Sequence, residues 1–203
     1  MMMRIPGNRK GLFLFLLLFV PSALQSHPHI FIDNRVTIVF DENGLAGFRL
    51  NWVFDKVFSA AIIHDFDRNG DQSFSRGEIE AVKDGAFSNL KNFHYFCDIA
   101  IDGSIFQVQY VTDFVAAVKQ SRIIYNFFVP CHVRATPGYK KVTIAVYDGT
   151  YFTEITYEDQ NPVVIENLDP FECNCELVEN EQKAYWGGQM IPIEARFRFR
   201  KRQ

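Results

Sequence analysis

Residues 65 to 78 read Asp-Phe-Asp-Arg-Asn-Gly-Asp-Gln-Ser-Phe-Ser-Arg-Gly-Glu, a run of oxygen-bearing side chains at alternate positions. Hard oxygen donors spaced in this way and closed by a glutamate make the twelve-residue loop that holds calcium in EF-hands. Two registers are conceivable, and one fails. A loop starting at Asp65 would put Arg76 at the twelfth position, where a bidentate carboxylate is required. Starting at Asp67 puts Asp67, Asn69 and Asp71 at positions one, three and five, and Glu78 at twelve. Ser73 at seven needs only its backbone carbonyl, Ser75 at nine can act through a water, and Phe74 at eight anchors the loop to a core. Position six is ordinarily glycine, because the chain turns there through a positive φ angle. Here it is Gln72, and Gly70 at position four does not replace it. A side chain in that conformation costs about 1–2 kcal/mol, which lowers the expected affinity and leaves the ligand set intact. The plainer alternative is a solvated acidic connector between two helices.

A second group is smaller. His27-Pro28-His29 lies just beyond an expected processing point, so His27 would offer an α-amine and an imidazole, with His29 two residues on. Such a set suits Zn²⁺, Ni²⁺ or Cu²⁺. The square-planar amino-terminal site is excluded, since it deprotonates the amide of residue two and Pro28 has no N–H. A brace-like site remains, which Asp33, His64, His94 or His132 could complete. The alternative is a pair of unligated histidines flanking a strand. Of the four cysteines, Cys97 and Cys131 both lie in strand-like segments and are the favoured pair if disulfides form. Cys173 and Cys175 could close a strained ring, find other partners or stay free.

The elements that must position these groups begin with a leader. Arg4, Arg9 and Lys10 precede an apolar run from Leu12 to Val20 and a small-residue exit, the pattern of a secretory signal peptide over 1–26 with cleavage after Ser26. The run is too short to span a bilayer. Residues 27–203 are expected to form one exported domain, periplasmic or secreted. Losing three basic residues and no acid takes the net charge from −3 to −6, which argues against nucleic acid as a general partner.

Ile30, Ile32, Val36, Ile38 and Phe40 recur at period two, and Phe48, Leu50 and Trp52 resume it after Asn43-Gly44, a strong hairpin signal. From Phe54 the period becomes helical: Val57, Phe58, Ala61, Ile62 and Phe66 precede the loop, and Ile79, Val82, Ala86, Phe87 and Leu90 follow it. This places a helix-loop-helix at about 54–91. Further turns at Asp102-Gly103 and Asp148-Gly149, with a long extended run from Ile123 to Val133, predict more antiparallel hairpins. Residues 161–188 are less regular. A last strand from Ile191 to Phe199 carries Arg196, Arg198 and Arg200 on one face, either a solvated edge strand or a docking strip for an anionic surface. The fold class is α+β: an antiparallel, hairpin-rich β domain with an inserted EF-hand helix-loop-helix.

His27-Pro28-His29-Ile30-Phe31-Ile32-Asp33, Trp52-Val53-Phe54-Asp55-Lys56-Val57-Phe58-Ser59 and the acidic loop through Phe87-x-Asn89-Leu90 occur in the order and spacing of a known family. The chain resembles a bacterial family labelled periplasmic component of an ABC-type transport system, the domain of unknown function numbered one thousand and seven. The resemblance is strongest over 27–115 and continues more loosely to about 157, including Tyr147-Asp148. It implies export and an association with metal-ion transport, as accessory to a metal-ion permease or ABC-type transporter, since relatives accompany nickel/cobalt-type permeases. In that family the loop often has glycine where this chain has Gln72. The expected function is therefore a non-enzymatic periplasmic Ca²⁺-binding protein serving a metal-ion transport system. A calcium-stabilised structural interaction module is the alternative, and an N-terminal-histidine copper enzyme comes last. No G-x-S-x-G, H-E-x-x-H, P-loop or G-x-G-x-x-G motif is present.

Overall fold

A computed structural model describes residues 28–202; the expected leader and His27 lie outside the described residues. Eleven strands run in chain order: β1 (Ile30–Asp41), β2 (Gly44–Phe54), β3 (Cys97–Ile101), β4 (Ser104–Phe106), β5 (Thr112–Lys119), β6 (Arg122–Arg134), β7 (Lys140–Val146), β8 (Thr153–Tyr157), β9 (Val163–Glu166), β10 (Phe171–Glu179) and β11 (Ile193–Lys201). Two helices, α1 (Lys56–Phe66) and α2 (Arg76–Val82), sit between β2 and β3. The protein is β-rich, with two sheets and few helices.

The strands divide into a sheet ordered β5-β6-β2-β1-β8, with β9 also paired to β1, and a sheet ordered β10-β11-β7-β3-β4. Alternation explains the layering. Ile32, Val36, Ile38 and Phe40 of β1 and Phe48, Leu50, Trp52 and Phe54 of β2 are all buried. Their faces meet two different partners. Towards the β1–β2 turn they meet the second sheet, where Phe40 packs 5.5 Å from Phe171 and 5.2 Å from Phe199, and Phe48 lies 6.0 Å from Phe197. Towards the other end they meet the helical segment, with Phe54 stacked 4.8 Å from Phe58, and on neighbouring β6 Phe127 meets Phe87 edge-on at 5.0 Å. The helices thus cover the half of the first sheet that the second sheet leaves open. Each aromatic ring so buried contributes about 1.5–3 kcal/mol.

The turns at Asn43-Gly44 and Asp102-Gly103 close hairpins, as their residues demand. The turn at Asp148-Gly149 does not. There the chain crosses from β7 in the second sheet to β8, which pairs with β1 in parallel. The first sheet is therefore mixed, because β9 also lies parallel to β1. A hairpin absent from the sequence expectation joins β5 to β6 through Gln120 and Ser121, at φ 52° and 59°. Two successive left-handed residues match the strand twist as Asn-Gly would.

The basic strand is not an edge. β11 lies between β10 and β7, and its arginines are engaged on the sheet surface. Arg196 meets Glu194 at 2.8 Å, Arg200 meets Glu172, and Arg198 and Arg200 both lie over the Tyr139 ring, at 4.7 and 4.5 Å. β10 fills what looked irregular in sequence, pointing Cys173 and Cys175 towards the core beside Phe199 and Phe197. All four cysteines are thiols, so the Cys97–Cys131 pair favoured from sequence is not joined. The two lie in different sheets, with Cys97 Sγ directed at Tyr95 O in the preceding 3-10 segment (3.2 Å) and Cys131 Sγ at Val129 O of its own strand (3.8 Å).

Candidate metal centre

Asp55 sets the start of the helical segment. Its Oδ1 accepts from the N–H groups of Val57 (2.7 Å) and Phe58 (2.9 Å), capping α1, while Oδ2 accepts from Phe31 N at 3.0 Å and ties the cap to β1. The buried face of α1 is turned from that expected. Ser59 and Ile62 are buried, whereas Val57 is 81% exposed. Ser59 faces inward because its Oγ accepts from Ile123 N at 2.9 Å, satisfying a buried β6 donor. The helix is thereby fixed to two strands before the loop begins.

α2 starts with a complete capping box. Ser75 Oγ accepts from Glu78 N at 3.5 Å, and Glu78 Oε2 accepts from Ser75 N and Ser75 Oγ, both at 2.8 Å. Glu78 also reaches back across the loop, where Oε1 accepts from Arg68 N at 2.8 Å. Its carboxylate is 6% exposed and forms no salt bridge among the described residues. The hydrogen bonds from Ser75, then that from Arg68, hold its pKa below the ordinary 4.5, favouring the anion. After α2 the chain continues through a π-helical turn, Lys83–Phe87, and a 3-10 segment, Ser88–Phe96, with Val82 and Phe87 in the core.

The loop between the helices is held by its own side chains. Asp67 Oδ1 and Oδ2 accept from Gly70 N (2.9 Å) and Gln72 N (2.8 Å). Asn69 Oδ1 accepts from Asp71 N at 3.1 Å, and Asp71 Oδ1 accepts from Ser73 N at 2.8 Å. Asp67, Asn69, Asp71 and Glu78 are therefore all wrapped by loop amides. Gln72 stands at φ 60°, the left-handed conformation that position six demands, and Gly70 at φ 71°. Phe74 is buried in the core shared with both sheets, so the loop's apolar anchor finds its partners within this chain.

The donors present fit a hard cation. They are carboxylate, amide, hydroxyl and main-chain oxygens, with no nitrogen or sulfur ligand among them. Among the described residues, no three side chains of His, Cys, Asp or Glu are gathered closely enough to hold a metal by themselves. That holds for the three loop carboxylates too: Asp67, Asp71 and Glu78 are turned onto loop amides and are not drawn together on one point.

The histidine set does not assemble among the described residues. His29 is exposed at the start of β1 with its ring 4.8 Å from Phe152. Asp33 is engaged by Arg122 at 2.7 Å, and His64 Nδ1 sits 2.9 Å from Asp65 at the end of α1. His94 lies in the 3-10 segment with Nδ1 3.4 Å from Val108 O, and His132 is near the far end of β6, beside the β1–β2 turn. His27 is outside the described residues.

The fold is that of a β-rich protein with two sheets and few helices. The chain belongs to a family described as protein of unknown function (DUF1007), whose model matches residues 12–195. It is similar to an uncharacterized 15.5 kDa protein of Spirochaeta aurantia from the trpE 3′ region, 31% identical over 137 residues that cover 66% of this chain and 95% of that one. It is also similar to an uncharacterized protein of Haemophilus influenzae, 27% identical over 169 residues, covering 82% and 79% of the two chains. Among the described residues, no helix is long and apolar enough to cross a membrane.

Proposed function

We propose that this chain is an exported calcium-binding protein whose loop from Asp67 to Glu78 is an EF-hand, acting as an accessory or binding component of a metal-ion transport system. Asp67, Asn69, Asp71 and Glu78 would hold the ion through side-chain oxygens, Ser73 through its carbonyl and Ser75 through a water. The observation that carries the reading is Gln72: a glutamine is held at φ 60° at the one loop position where this geometry is required. Export is supported by the leader pattern, and the transport association by the family resemblance of the sequence. Outside the cytoplasm such loops bind with Kd on the order of 10⁻⁴–10⁻³ M, so a loop lacking the position-six glycine would still fill there.

A second reading, that the ion only braces the structure, is favoured by the burial of Phe74, Val82 and Phe87. A helix pair already committed to the core has little apolar surface left to expose. Thermal melting tests the proposal. Millimolar Ca²⁺ raises the melting temperature of the wild type and leaves that of Asp67→Ala unchanged; a wild-type curve indifferent to Ca²⁺ removes the claim. A calcium-dependent rise in the fluorescence of a hydrophobic dye favours signalling over bracing.

A further inference from the structure

The helical segment does not seal completely against the first sheet. Between them lies a cavity of about 420 Å³, within the range of small-molecule sites. Its aromatic lining includes Trp52 and Phe54 of β2, Phe58 of α1, Phe96 at the end of the 3-10 segment, Tyr125 of β6 and Phe152 just before β8. The one acidic group on its surface is Asp148.

Two features set this cavity apart from a packing defect. Asp148 is 4% exposed, and its carboxylate accepts only from neutral donors: Thr150 N at 2.9 Å, Thr150 Oγ1 at 2.7 Å and Thr153 N at 3.0 Å. No Lys, Arg or His forms a salt bridge with it among the described residues. These bonds satisfy both carboxylate oxygens but supply no opposite charge, which a cation in the cavity would provide. The second feature is the backbone. His94, Tyr95 and Phe96 are three consecutive non-glycine residues at φ 51°, 54° and 57°. That conformation is disfavoured, and the run ends in Phe96 on the cavity wall.

We propose that this cavity binds a small organic ammonium ion, with the cation among the aromatic rings and its charge opposed by Asp148. Trp, Phe and Tyr faces attract such cations, and a desolvated setting strengthens the attraction. An anion would meet Asp148 unfavourably, and a neutral apolar molecule would leave the carboxylate uncompensated. The inference stands apart from the calcium loop, since none of the six loop donors lines the cavity.

The test uses choline and its uncharged isostere, 3,3-dimethylbutan-1-ol, on the chain carrying Trp186→Phe, so that Trp52 is the sole tryptophan reporter. Choline is expected to shift Trp52 emission with an affinity at least about tenfold above that of the isostere. Equal or tighter binding of the isostere, or no response to choline up to about 10 mM, overturns the proposal. Asp148→Asn is expected to bring the two probes within about twofold of each other. Because Asp148 also holds the turn before β8, Phe152→Ala at the half-exposed rim gives an independent check. It should weaken choline about fivefold while the fold persists, and unchanged choline affinity in that variant also contradicts the assignment.

Discussion

The ring of Phe66, the last residue of α1, lies against Gly85 in the π-helical turn after α2, so closely that a Cβ on Gly85 would fall 2.9 Å from Phe66 Cζ. The two flanks of the acidic loop are therefore joined by packing as well as by the loop itself. Gly85 is at once a break in the apolar stripe and the residue that permits this approach.

Gly85→Ala should accordingly destabilise. Alanine gains up to about 1 kcal/mol of helix propensity. Displacing the ring costs about 1–3 kcal/mol, as small-to-large changes in packed sites do. The expected net loss is about 1 kcal/mol, read from urea denaturation. A stabilised variant would show that Phe66 swings aside freely.

Gln72→Gly acts in the other direction. Removing the Cβ relieves about 1–2 kcal/mol of left-handed strain, partly offset by the greater freedom of glycine in the unfolded chain. In saturating calcium the variant should be more stable by roughly 1 kcal/mol. An equal or lower unfolding midpoint would mean that the Gln72 side chain contributes compensating contacts.

Glu78 gives a pH signature. Its folded-state pKa is held below 4.5 by the hydrogen bonds from Ser75, then Arg68. Its contribution is thus fully present above the unfolded value and is lost as pH falls through the depressed folded value. Glu78→Gln should flatten the stability curve below about pH 4.5, with little change in slope between pH 5 and 7. A variant that loses stability in acid as steeply as the wild type would place the sensitivity elsewhere.

The thiols should be inert in the native state. Burial pushes the Cys97 thiol strongly upward and that of Cys131 to about 12; Cys173 rises to about 12 and Cys175 to about 11. Thiolate is the reactive form, so labelling by a thiol reagent at pH 8 should be slow until denaturant is added. Fast labelling of Cys173 or Cys175 alone would mean that β10 opens locally.

Much of this was legible in the sequence, and the failures have identifiable causes. Period-two burial from Ile30 to Trp52 and the Asn43-Gly44 turn specified the first hairpin, because both levels of signal agree there. The Gln120-Ser121 turn was silent, since neither residue advertises the left-handed conformation it adopts. Asp148-Gly149 signalled a turn correctly but not its destination: a turn signal is local, whereas the crossing to β8 is set by pairing with β1. β10 was obscured because its inward positions are Cys173 and Cys175, which read as chemistry rather than as core. At the loop, the strained position was readable from residue types alone, since Gln72 takes the left-handed conformation expected at that point of the turn. The rotation of α1 was not, since it depends on Ser59 meeting an amide of β6, 64 residues away.

The most direct test of the central claim is calorimetric titration of the metal-stripped chain with Ca²⁺, alongside Asp67→Ala. Binding of one ion per chain, with Kd on the order of 10⁻⁴–10⁻³ M and abolished by the substitution, is the predicted result. No heat of binding up to about 10 mM Ca²⁺, or a signal that survives Asp67→Ala, would contradict it.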